Sequence, residues 1–220
     1  MMHSAYKIVS GPLMWAAFFV FIGGTLYRLW ELLRLLLRKE KSLLSYMSLR
    51  YSLRSFVHWM TPFGALNMRM HPFMTVVSFS FHICLLLVPF FLLAHIVLWE
   101  EAWGLRWWNL PDPVADVMTL IVPAACIFFA ARRVFRPEVR FISDAADYLF
   151  IGLVALPFLS GFYCGRQWPG YGVMMFVHML SGQVMLAILP FTRLAHMFLV
   201  WFTRSYMGSE FGAVRHARDY

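Results

Sequence analysis

Four histidines, His82, His95, His178 and His196, stand inside long apolar runs, two in one run and two in another. The other four, His3, His58, His71 and His216, fall in tails or between runs and need no special role. An ionisable side chain inside lipid is costly and marks function. The chemistry open to a neutral imidazole there is ligation through its unprotonated ring nitrogen, above all of haem iron.

Spacing sorts the four into pairs. His178 and His196 are eighteen residues apart, five turns of ideal helix, so they share a face about 27 Å apart. His82 and His95 are thirteen apart, a rise of about 20 Å with a rotation of about 220° that puts them on different faces. Pro89 lies between them and can kink or unwind the helix. The two runs are antiparallel, and counting residues from their ends matches His95 with His178 near one side of the membrane and His82 with His196 near the other. The expectation is two bis-histidine b haems held between helices 2 and 5. His71, eleven residues before His82, is a reserve ligand in place of either residue on that helix. Arg193, three residues before His196, is placed to meet haem propionates. Gly182, four after His178, lets a bulky group approach the backbone.

The elements that must hold these residues follow from composition. Of 220 residues, 61% are apolar and 14% charged, against about 25% charged in a soluble domain. That excludes a disordered chain and a water-soluble enzyme, and predicts an all-α, polytopic membrane protein. Five runs approach the ~20 residues a bilayer demands: 11–33, 72–99, 113–131, 146–164 and 173–201. They must be helices, since lipid offers no partner to an open strand. No repeat or second domain interrupts residues 1–220. Only Lys7 precedes the first run and no small-residue cleavage site follows it, so no cleaved leader is expected.

The net charge of +8 does not point to nucleic acid, because the basic residues lie between the runs. Fourteen Lys and Arg fall in the 34–69 segment, the 132–140 loop and the C-terminal tail; three (Lys7, Arg106, Arg166) fall on the other side. The N-terminus is therefore expected outside and the C-terminus in the cytoplasm. Trp99, Trp103, Trp107 and Trp108, and Tyr163, Trp168 and Tyr171, read as interfacial belts. Residues 42–60 carry Leu49, Leu53, Phe56, Val57 and Met60 at helical spacing, an amphipathic helix for the membrane surface or a partner. Cys84, Cys126 and Cys164 form no CxxC and read as small apolar side chains.

The fifth run, FVHMLSGQVMLAILPFTRLAH, resembles the corresponding helix of the gamma subunit of respiratory nitrate reductase, with its histidine spacing and closing PF-x-RL-x-H. The loop RRVFRPEVR with the following Ala-Asp, and FHI at His82, resemble that family too. Its members space their second-helix histidines by ten rather than thirteen. FHICLLLVPFFLLAHIVLW and the early SGPLMW look closer to cytochrome b subunits of sulfate-reducer transmembrane redox complexes of the Hmc, Tmc and Dsr kinds. The resemblance covers roughly residues 72–200. It implies five helices, an external N-terminus and two haem b ligated by His82, His95, His178 and His196. It further implies electron exchange with a quinone pool, menaquinone included, and partner subunits that are iron–sulfur proteins and multihaem c-type cytochromes in an inner membrane. Quinol would bind near His95, where Glu100 or Glu101 could accept a proton. The rival readings are a haem-free membrane anchor for a soluble redox complex and a transporter with a histidine proton relay.

Overall fold

The structure, a computed structural model, describes residues 2–39 and 45–220. Its described residues form helices and no strand. Five helices are long and apolar enough to cross a membrane: Ser4–Arg38, Pro72–Phe91, Asp112–Phe135, Ala145–Gly165 and Tyr171–Phe191. The chain is a multi-pass, all-α membrane protein.

The chain divides into two compact units. The first comprises residues 1–9 and 77–185. Helix α1 (Met2–Ile8) opens the chain and passes into a π-helical turn at Val9–Leu13. Pro12 explains the turn: it has no N–H for the Ile8 carbonyl, so the ladder shifts by one residue. The amide of Gln183 donates to the Val9 carbonyl (2.7 Å). The unit's core is a pair of antiparallel spans, α7 (Asp112–Phe135) and α9 (Ala145–Gly165), which pack on each other. Small residues, Ala115, Thr119 and Cys126 among them, are buried along α7 and allow close approach. An ion pair closes each end: Arg166 to Asp116 at 2.6 Å and Arg133 to Asp147 at 3.2 Å. α9 begins with a capping box, in which Asp144 and Asp147 each accept the other's backbone N–H (3.1 Å). α7 ends at Phe135, with Arg136 extended before Pro137 as that proline requires. The short α8 (Pro137–Phe141) leads to the cap.

The second unit comprises residues 10–76 and 186–220. It holds α2 (Met14–Lys39), α3 (Leu49–Met60), α4 (Leu66–Met70) and the C-terminal segment. Residues 42–44 of the expected amphipathic segment lie outside the described residues; α3 forms 49–60 of it, after a non-helical step at 47–48. Its Phe56 stacks on Trp201 (3.8 Å between centroids), and Gly208 lies on the Tyr51 carbonyl so closely that no side chain fits there.

The two histidine-bearing spans are not single rods. The second comprises α5 (Pro72–Phe91) and α6 (Leu93–Trp103), separated at Leu92; α6 ends at Gly104, whose φ of +67° makes the left-handed cap. The fifth comprises α10 (Tyr171–Ile188), two 3₁₀ turns around Thr192, and α11 (His196–Met207). Runs read from hydropathy as 72–99 and 173–201 are each two helices on a joint.

Candidate functional site

The site begins with the break at Leu92. The helix runs through Pro89 as far as Phe91, and then Leu92 turns extended (φ −74°, ψ 128°). The carbonyls of Pro89, Phe90 and Phe91 thereby lose their helical partners, which within lipid costs several kcal/mol each. All three find new donors: His95 Nδ1 to Pro89 (2.9 Å), Trp107 Nε1 to Phe90 (2.8 Å) and the Leu110 N–H to Phe91 (2.9 Å). His95 is thus oriented by the very interruption that frees its acceptor. The phase count between His82 and His95 assumed one unbroken helix, which the break at Leu92 replaces with two.

His178 projects from α10, and its Nδ1 donates to the carbonyl of Pro157 on α9 (2.9 Å). Gly161, one turn further along α9, makes the space for the ring; a Cβ there would sit 2.9 Å from His178 Cε1. The imidazoles of His95 and His178 come together with centroids 6.0 Å apart and planes 15° from parallel. Both are half-buried. The expected His95–His178 pair is therefore formed, wholly within the first unit.

His82 lies in the first unit and donates through Nδ1 to the Ser78 carbonyl (2.7 Å), one turn back. His196 lies in the second unit at the start of α11, with Nδ1 to the Arg193 carbonyl (2.8 Å). The eighteen-residue spacing of His178 and His196 does not translate into five helical turns, because Pro190 and Thr192 interrupt the helix. Pro190 withholds an N–H, and the Thr192 hydroxyl accepts from the Leu194 N–H (3.3 Å) to start a new turn. Arg28 of α2 reaches the freed Pro190 carbonyl (3.2 Å), as Trp107 reaches that of Phe90.

A carbonyl can only accept, so in all four histidines Nδ1 carries the proton. The lone pair is then on Nε2. This is the tautomer and the orienting contact of metal-binding imidazoles, whose other ring N–H is typically held by a backbone carbonyl or carboxylate.

The remaining expected residues sit as follows. A Cβ at Gly182 would meet nothing within 4 Å, so this face of α10 is open. Arg193 is exposed and contributes its carbonyl to His196. His71 is exposed between α4 and α5, its carbonyl accepting from Thr75 (3.1 Å). Glu100 pairs with Arg106 (3.2 Å), and Glu101 is exposed. Among the described residues no three His, Cys, Asp or Glu side chains converge as a metal cluster; a bis-imidazole site needs only two.

Pro157 and Gly161, which seat His178, and Trp107 and Arg28, which hold the two helix breaks, are not evident from the histidine spacing. The PFLSG run, a proline followed four residues later by glycine inside an apolar span, is the one local sign.

The fold defines a multi-pass helical membrane protein in which two imidazoles, His95 and His178, stand face to face. The chain belongs to one family with a protein of Nitratidesulfovibrio vulgaris (strain Hildenborough) described simply as "Protein"; the two are 32% identical over 218 residues, 96% of this chain and 95% of that one. No family model matches the chain, and no solved structure matches it.

Proposed function

We propose that this protein is a membrane b-type cytochrome subunit of a respiratory redox complex, passing electrons between a quinone pool and bound partner subunits. The observation that carries the reading is the His95–His178 pair. An imidazole nitrogen bonds a transition metal at about 2 Å, with the ring centre roughly 1 Å behind it, so two axial imidazoles on one iron set their centroids about 6 Å apart. The observed 6.0 Å with near-parallel rings fits that separation. The shared Nδ1–H tautomer of all four histidines fits ligation through Nε2.

In this reading His95 and His178 hold one haem b, and the second is the haem that the sequence leads one to expect for His82 and His196. Haem ligated in this way supplies one-electron transfer. The chain's own part is to fix the imidazoles: the Pro89, Pro157, Ser78 and Arg193 carbonyls set the tautomers, Gly161 seats one ring, and open space at Gly182 leaves room beside α10. The resemblance of the fifth span to nitrate reductase gamma subunits, and of the second to sulfate-reducer cytochrome b subunits, supports quinone as substrate and iron–sulfur and multihaem cytochrome c proteins as partners. The basic residues support an inner-membrane orientation with the N-terminus outside.

The test is a reduced-minus-oxidised spectrum of the purified chain with haem b quantified per polypeptide. About two haems are expected, and His178→Ala is expected to lose one of them. A folded sample with no haem sinks the cytochrome and leaves the membrane anchor; one with a His178→Ala spectrum like the parent's removes His178 as ligand.

A further inference from the structure

Helix α3 is turned inside out. Its small and polar residues face the protein: Ser55 is fully buried, the Ser52 hydroxyl donates to the Ser205 carbonyl (3.2 Å), and Ser209 Oγ accepts from the Ser48 N–H (3.0 Å). Its apolar stripe, Leu49, Leu53, Val57 and Met60, faces away; Leu49 is 75% exposed and the others more than half. The exposed line continues through Phe63, Leu66 and Met70 to Phe73 on the first turn of α5. A folding core does not discard four large side chains to bury two serines unless something else covers the stripe.

Three features identify what covers it. First, α4 ends at Met70 and the span Pro72–Phe91 begins two residues later, so this surface cannot leave the membrane boundary. Second, residues 45–71 contain no acidic side chain, whereas Arg50 and Arg54 flank the stripe and Arg69 follows it, all exposed. The acid that reaches this face, Asp219, is held by His58 (2.7 Å) and the Leu66 N–H (2.9 Å). Third, Trp59, a residue of membrane interfaces, is exposed on the same helix with Arg204 over its ring (4.8 Å).

We propose that α3 and α4 form an in-plane plate, the stripe immersed among acyl chains and Arg50, Arg54 and Arg69 binding anionic phospholipid headgroups. Each arginine near a charged leaflet adds attraction, and the apolar stripe supplies depth. The inference is independent of any haem.

The experiment places a spin label on Leu53→Cys in the full chain, in nanodiscs of phosphatidylcholine alone or mixed with phosphatidylglycerol. Oxygen reports acyl chains and a nickel chelate reports water. In anionic discs the label is expected to meet oxygen and not nickel. Nickel collisions should rise severalfold in phosphatidylcholine alone, and in anionic discs when Arg50, Arg54 and Arg69 are changed to Gln. A label open to nickel in both lipids overturns the proposal, as does one closed to both reagents, which would mean a protein covers the stripe. Equal depth in both lipids removes the anionic headgroup. The two-lipid comparison on the unaltered arginines stands even if the triple variant misfolds.

Discussion

Gly161 lies against the imidazole of His178, with room for a hydrogen and not for a methyl group. The relationship is between two spans, α9 and α10, and it fixes where the ring of His178 can stand relative to that of His95. Gly161→Ala should push the ring out of register. In the cytochrome reading the expected outcome is about one haem per chain in place of two, measured by pyridine haemochrome. Gly152→Ala is the control, since an added Cβ there meets nothing within 4 Å; it should retain both.

Trp107→Phe keeps the ring bulk and removes the donor to the Phe90 carbonyl. A carbonyl left without a partner at the break costs about 1–3 kcal/mol. A lower thermal midpoint in detergent is expected, together with, in the cytochrome reading, a shifted haem absorption band. An unchanged midpoint would show that water takes over the Trp107 bond.

At the other end of the same unit, Asp147 is 5% exposed and carries both the helix cap and the ion pair with Arg133. Asp147→Asn keeps an oxygen for the cap and removes the charge. Arg133 is then left half-buried without that pairing, a loss of about 1–3 kcal/mol readable by thermal unfolding. Asp116→Asn, whose partner Arg166 is exposed, should cost under about 1 kcal/mol by the same measure.

The C-terminal tail is held by Asp219, whose carboxyl lies below its ordinary value of 3.8, chiefly through the hydrogen bond from His58 and then that from the Leu66 N–H. A depressed carboxyl stabilises the folded tail above its unfolded value, and that contribution is lost as pH falls through the folded one. Pepsin should therefore release the tail increasingly below about pH 4. Asp219→Asn should expose Arg215 and Arg218 to trypsin already at neutral pH. Equal trypsin rates in variant and parent would show that the tail is held elsewhere.

Hydropathy made the five spans legible, because partition of side chains into lipid is a property of local composition. The histidine pairing of His95 with His178 was legible from depth alone, since antiparallel helices convert residue counts into heights. The breaks were not. Pro89 signals a weak point, yet the chain unwinds three residues later at Leu92, where Trp107 and Leu110 can supply donors. Thr192 likewise depends on Arg28, more than 160 residues away. Gly161 has meaning only through a ring on another helix. The amphipathic period of residues 49–60 was plain, but which face the protein keeps depends on Ser205, Gly208 and Ser209, far down the chain.

The interruption at Leu92 works as a splice clamped from beyond α6. What aims His95 is a bracket closed across the gap: its own bond to the Pro89 carbonyl, with Trp107 and Leu110 holding the next two carbonyls from beyond α6. One residue added between His82 and Val88 would swing His82 by about 100° relative to this bracket and leave His95 bonded to Pro89 and facing His178. The direction in which His82 points is thereby separable from the posture of His95, although both stand on one span.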